Sequence, residues 1–206
     1  MIHVVLFQPE IPPNTGNIIR TCMASNSKLH LIKPLGFKID DASFKRAGLD
    51  YLRSFEFETH ENFEDFLNTC KPDFKHTFII TRFADYTYSD APLSDADHDY
   101  YFIFGSETHG LPESIHKMYE GHGLRVPMDS EARCLNLSNT VAIIVYEALR
   151  QQNFPTLSRV NTLEGSSLLF LFSIKKLIRY CISFYSNQYQ MSCSNLVFLQ
   201  ETLICF

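Results

Sequence analysis

Apolar and polar positions alternate in blocks along the first three quarters of the chain. Residues 2–7 (IHVVLF) form a continuous apolar run rich in β-branched side chains, the pattern of a strand buried on both faces. Residues 29–33, 77–81 and 100–104 repeat it, and residues 55–58 and 124–127 give shorter versions. Between them the period becomes helical. A helix is predicted over 14–25, after Pro12-Pro13, with Asn14 or Thr15 as its cap. Asp40 caps a short helix that Gly48 stops. Residues 61–70 place Phe63, Phe66 and Leu67 on one face, and 111–119 form another short helix. The strongest pattern is 138–151, apolar along Val141, Ile144, Val145 and Ala148, with Ser138 and Asn139 as natural caps. Strands separated by helices predict an α/β fold, a mostly parallel sheet flanked by helices. Ligands of such sheets bind outside the carboxyl ends of the strands.

This pattern covers residues 1–155, read as one domain. Residues 156–206 differ: their only acids are Glu164 and Glu201, and Leu, Phe, Ser and Cys dominate. The stretch SLLFLFSIKKLIRYCISFY is apolar enough to suggest a membrane segment. However, Lys175, Lys176 and Arg179 interrupt it, and each costs about 2.5–3.5 kcal/mol at a membrane helix centre. It is read as an atypical C-terminal extension with no assigned role and no membrane partner.

Charge narrows the functions. The net charge of -5 excludes a generally basic nucleic-acid binder. The average hides an asymmetry. Residues 1–53 carry seven Lys/Arg against four acids, whereas residues 54–155 carry seven against seventeen. An anionic partner is expected at the first quarter of the chain, around Lys28, Lys33, Lys38, Lys45, Arg46 and Arg53. Six cysteines are present, none in a CxxC pair and none at zinc-motif spacing with histidine, so no metal site is expected. The N-terminus lacks a basic n-region and reads as a strand rather than a signal peptide. The expected compartment is the reducing cytoplasm.

Three segments carry candidate chemistry, and each follows a strand. In PEIPPNTGNIIR (9–20), Pro-rich backbone leads into a helix whose first turn offers Asn14, Thr15, Gly16 and Asn17. Free N–H groups there favour an anion, and Arg20 lies one turn on. In FGSETHGLP (104–112), Gly105 and Gly110 allow close approach of a ligand, and Glu107 between them is placed to accept hydrogen bonds from its amine or hydroxyls. The loop is not a GxGxxG, and no GxxxxGK[ST] occurs, which argues against a nucleoside triphosphate. In RVPMDSEARCLNLSN (125–139), a polar loop carries Arg133, and Leu135 and Leu137 bracket Asn136, a spacing expected of a loop tucked inward. Tyr146 lies near the Ser138/Asn139 face and by itself reads as core packing.

Taken together and in this order, NTGNIIR, FGSETHGLP and RVPM…RCLNLSNTVAIIVYEALR resemble the three motifs of the SPOUT-class RNA 2'-O-methyltransferases. Residues 1–155 as a whole, including LHLIKPLGF and RAGLDY, resemble the small bacterial tRNA wobble-nucleotide methyltransferases of that class. The resemblance implies a C-terminal trefoil knot, a homodimer and S-adenosyl-L-methionine (AdoMet) held by the knot loops. Its AdoMet contacts map to Ile80, Gly105, Val126 and Cys134, with Glu107, Gly110, Met128, Leu135 and Ser138 in the same loops. Around the reacting ribose it places Asn17, Arg20, Arg133, Asn139 and Tyr146. Two departures stand out. Arg82-Phe83-Ala84 follows Thr81 where related sequences have Thr-Lys-Gly, and Cys134 replaces a serine whose backbone contact survives the change.

The implied reaction is methyl transfer from AdoMet to the ribose 2'-hydroxyl of the wobble nucleotide in the tRNA anticodon stem-loop. Arg20 is the candidate for contacting the 2'-oxygen or a nearby phosphate; accepting the proton demands a strongly perturbed guanidinium. No metal is required. Alternatives are a SPOUT enzyme acting on another RNA, such as rRNA, and a non-catalytic RNA-binding protein of the same fold.

Overall fold

The computed structural model describes residues 1–38 and 55–160. The expected Asp40 helix, the basic residues Lys45, Arg46 and Arg53, and the apolar stretch of the extension lie outside the described residues. The compact unit Met1–Leu157 contains all the elements below.

Among the described residues, seven strands form one sheet: β1 (Ile2–Phe7), β2 (Lys28–Ile32), β3 (Glu58–His60), β4 (Thr77–Ile80), β5 (Tyr86–Thr87), β6 (Tyr100–Phe104) and β7 (Gly123–Arg125). Their spatial order is β3-β2-β1-β6-β4-β7-β5, and every pairing is parallel. All the strands therefore point their carboxyl ends to one edge. Among the described residues, the α-helices are α1 (Pro12–Ala24), α2 (Phe63–Cys70), α3 (Glu113–Met118) and α4 (Leu137–Gln151).

Successive strand residues alternate faces, and both faces are covered. On one, Val4, Leu6, Leu31, Phe102 and Phe104 pack with Ile18, Ile19 and Cys22 of α1 and with Val141, Ile144, Val145 and Ala148 of α4. On the other, Val5, Ile32, Ile79, Tyr101 and Ile103 pack with Phe66 of α2 and with Ile115 of α3. This double burial explains why the strands read as continuous apolar runs.

Element boundaries differ from the pattern in informative places. The third strand is Glu58–His60 rather than 55–58, because it pairs with β2 through His30–Glu58 and Ile32–His60. Phe55 and Phe57, which suggested the earlier position, instead pack from the lead-in onto the α1/α4 side of the core. β5 went unforeseen because two residues carry no period. The caps also move. α1 begins at Pro12, so Asn14 and Thr15 lie inside its first turn, and its cap residue, Ile11, offers no side-chain acceptor. α4 is capped by Asn136, not by Ser138 or Asn139.

Candidate active site

The three candidate segments meet at the carboxyl edge of the sheet. Loop 105–111, after β6, is closed on itself: Ser106 and Gly110 exchange both backbone hydrogen bonds (2.9 and 3.2 Å). A Cβ on Gly105 would lie 2.2 Å from the Gly110 carbonyl carbon. Glycine is required at 105 so that the loop can fold back on its own backbone. The close approach at Gly105 is therefore first of all one of the loop to its own backbone. Gly110 has φ +70°, the left-handed region, and a Cβ there would meet nothing within 4 Å.

Glu107 projects from this loop to the start of α1. Its carboxylate accepts the Glu10 N–H (2.9 Å), the Ile11 N–H (3.3 Å) and Asn14 Nδ2–H (3.0 Å). Pro12 and Pro13 supply no N–H, so the orphan donors just ahead of the helix are satisfied by a carboxylate from another segment. An anion does sit at this helix start, and it is the Glu107 carboxylate, with three hydrogen bonds from the protein. Glu10 returns the contact, its carboxylate accepting hydrogen bonds from Thr108 Oγ1 and from His109 Nδ1 (3.4 Å). The Thr108 bond is the main cause that holds the Glu10 carboxyl below its ordinary value.

The third segment joins through Asn14. Asn136 Nδ2 donates to Asn14 Oδ1 (2.9 Å), while Asn136 Oδ1 accepts the Ser138 N–H (2.9 Å) and the Ser138 hydroxyl (2.6 Å). One asparagine therefore caps α4 and ties its loop to α1, whose own Asn14 reaches Glu107. Asn14 and Asn136 are the residues that sequence reasoning undervalued. An asparagine within two residues of a helix start is a cap signal, but its distant partner has no sequence signature.

Around this scaffold, Ile80 ends β4 opposite Phe104 on one side and Leu124 on the other. Ile80, Gly105 and Val126 thus lie on three neighbouring strands' ends. Met128 is half-buried, and Ser138 is buried. Cys134 is exposed and Leu135 is 38% exposed, whereas Leu137 packs on the core. The loop is tucked inward at Leu137, not at Leu135. Among the described residues, no backbone hydrogen bond forms at Cys134 or Leu135. Apolar walls at strand ends beside open backbone donors and acceptors fit the adenosine of AdoMet. Arg82 Nη1 donates to the Arg133 carbonyl (3.3 Å), and its guanidinium lies 4.7 Å from the Phe83 ring centroid. The departure at 82–84 therefore braces the third loop.

Asn17 and Arg20 lie on the exposed side of α1, Arg133 in the exposed loop, and Asn139 on the exposed side of α4. Tyr146 is 42% exposed, so it is a surface side chain and not core packing. Within the basic first quarter, Lys33 Nζ pairs with Glu61 at 2.6 Å. Among the described residues, no helix is long and apolar enough to cross a membrane.

Known proteins resemble this chain in sequence and in fold. A tRNA (cytidine(34)-2'-O)-methyltransferase of Burkholderia cenocepacia (strain HI2424) is 44% identical over 155 residues, spanning 75% of this chain and 97% of that protein. A solved structure concerning 2-OH methylation of C/U34 on tRNA aligns with TM-score 0.67 and 36% identity, covering 75% of this chain and 97% of the other. The methyltransferase AviRb from Streptomyces viridochromogenes, in complex with AdoMet, shares the fold at TM-score 0.61 and 22% identity, over 73% of this chain and 57% of AviRb. Residues 1–146 match the SpoU rRNA methylase family, to which the chain belongs.

Proposed function

We propose that this protein transfers a methyl group from AdoMet to the ribose 2'-hydroxyl of the wobble nucleotide, cytidine or a modified uridine at position 34, of tRNA. The observation that carries the reading is the joining of three distant segments, at Asn14, Glu107 and Asn136, beside the strand ends that carry Ile80, Gly105 and Val126. The names of the wobble-methyltransferase relatives support the substrate.

AdoMet supplies a methyl carbon already activated by its sulfonium, so the chain's residues must align a hydroxyl oxygen and manage its proton. Ile80, Val126, Met128 and Leu135 supply apolar contact for the adenine, and the backbone at Gly105, Cys134 and Leu135 supplies its hydrogen bonds. Ser138 and Gly110 border the same loops. Glu107 acts by holding α1 in register with them. Arg20 meets the 2'-oxygen or the adjoining phosphate. Asn17, Arg133, Asn139 and Tyr146, all exposed, position the ribose and the anticodon backbone. The knotted C-terminal backbone, the homodimer, the anticodon stem-loop as the contacted element and a cytoplasmic setting belong to the same reading. A dimer would join two first-quarter basic regions into one RNA-facing surface.

Incubating the protein with total tRNA and labelled AdoMet, then mapping the labelled nucleotide, tests this. Label at nucleotide 34 is expected. Label confined to rRNA fragments, or tight tRNA binding with no AdoMet affinity, overturns it.

A further inference from the structure

A second cluster lies on the other side of the sheet, between β2, β3 and α2. His30 Nδ1 and His60 Nε2 face each other at 3.2 Å. Cys70 Sγ, at the end of α2, is 3.7 Å from His30 Nδ1 and 4.0 Å from His60 Nε2. Glu58 Oε2 is 3.5 Å from His30 Nδ1, 4.0 Å from His60 Nε2 and 4.0 Å from Cys70 Sγ. All six separations among these four atoms therefore lie between 3.2 and 4.0 Å. A tetrahedral zinc ion with bonds of about 2.0–2.3 Å sets its ligand atoms roughly 3.3–3.8 Å apart. The four atoms already stand near the corners of such a tetrahedron. We propose that His30, Glu58, His60 and Cys70 form a binding site for a divalent cation of the zinc class, independent of the methyl-transfer site.

The chemistry of the donors agrees. Two imidazoles, one thiolate and one carboxylate are a borderline set that suits zinc or cobalt(II) and not magnesium or calcium. The imidazoles of His30 and His60 are buried, while the Glu58 side chain is 52% exposed at the edge strand, which leaves a path for the ion. The surrounding groups orient the ligands. His30 Nε2 lies 2.9 Å from His3 Nδ1, so a proton on His30 Nε2 leaves Nδ1 free to coordinate. Beyond the ligands, Asp99 lies 3.8 Å from His3 Nε2 and Asp65 lies 4.0 Å from His60 Nδ1. On binding, the Cys70 S–H bond breaks, the sulfur's electron pair goes to the cation, and one proton leaves to solvent.

The sequence pattern excluded a metal because the four ligands are spread over two strands and a helix at spacings of no zinc motif. Parallel pairing of β2 with β3, through His30–Glu58 and Ile32–His60, assembles the first three, and the end of α2 adds Cys70. The ion would tie the edge strand and α2 to β2, and so clamp both ends of the chain segment between β2 and β3.

The test uses the full chain, stripped with a chelator and titrated with cobalt(II) and then zinc. One equivalent is expected, with tetrahedral cobalt bands, a thiolate-to-cobalt charge-transfer band and a rise in Tm with zinc. Cys70→Ser should abolish the charge-transfer band. Glu58→Gln, at an exposed side chain that leaves the fold intact, should weaken binding by about tenfold or more. A triple variant, Cys181→Ser with Cys193→Ser and Cys205→Ser, should bind as the parent does. No stoichiometric binding, undiminished binding in both Cys70→Ser and Glu58→Gln, or loss in the triple variant instead would overturn the site.

Discussion

Asn14 Nδ2 donates to Glu107 Oε1 across 3.0 Å, joining residues 93 positions apart, and the same asparagine accepts from Asn136 through its oxygen. Its amide is the joint between the first, second and third segments. Asn14→Ala removes a donor and an acceptor from a buried position and should cost about 1–3 kcal/mol, read from urea unfolding. If the joint shapes the cofactor loops, AdoMet affinity measured by calorimetry falls as well. A change in stability with unchanged AdoMet affinity would confine Asn14 to the fold.

The two loop glycines should respond differently. Gly105→Ala drives a Cβ into the Gly110 backbone, which cannot give way without opening the loop. Overpacking of this kind costs about 1–3 kcal/mol or more. Gly110→Ala meets no atoms and pays only for a left-handed backbone, about 1–2 kcal/mol. Urea midpoints should rank Gly105→Ala below Gly110→Ala, with AdoMet binding lost in the former.

Arg20→Ala should lower methyl transfer to tRNA by about 100-fold or more while leaving AdoMet affinity near the parent value. Cys134→Ala should keep both, because the contact assigned there belongs to the backbone. Full transfer by Arg20→Ala would remove Arg20 from the reaction.

Hydrogen bonding to Thr108 lowers the Glu10 pKa from its ordinary 4.5. A depressed carboxyl contributes stability above its unfolded pKa and loses it as pH falls through the folded one. Glu10→Gln should therefore lower Tm at pH 7 and narrow the gap to the parent as pH drops below 4.5. Thermal melts across that range measure it, and an equal deficit at all pH values would contradict it.

Binding of tRNA should weaken steeply as salt rises, through counterion release at the basic first quarter. Lys33 should contribute little, since Glu61 already pairs with it. Filter binding of Lys33→Ala against the parent, at two salt concentrations, checks both points.

The alternation of apolar runs with helical periods was enough to place most of the elements and the α/β class, because double burial and helix amphipathicity are written locally. The order of NTGNIIR, FGSETHGLP and RCLNLSN was enough to suggest the family. The sequence by itself could not assign work to individual polar side chains. Glu107 looked like a ligand contact, and nothing in its sequence neighbourhood showed that it also accepts the Glu10 and Ile11 N–H groups at the start of α1. Asn14 looked like a cap and became a bridge. Tyr146 looked buried and lies at the surface. His30, Glu58, His60 and Cys70 carried no motif, yet parallel strand register and the end of α2 bring their donor atoms within reach of one ion. Periodicity reports which face a residue takes; only the packing of distant segments decides which atoms it meets there.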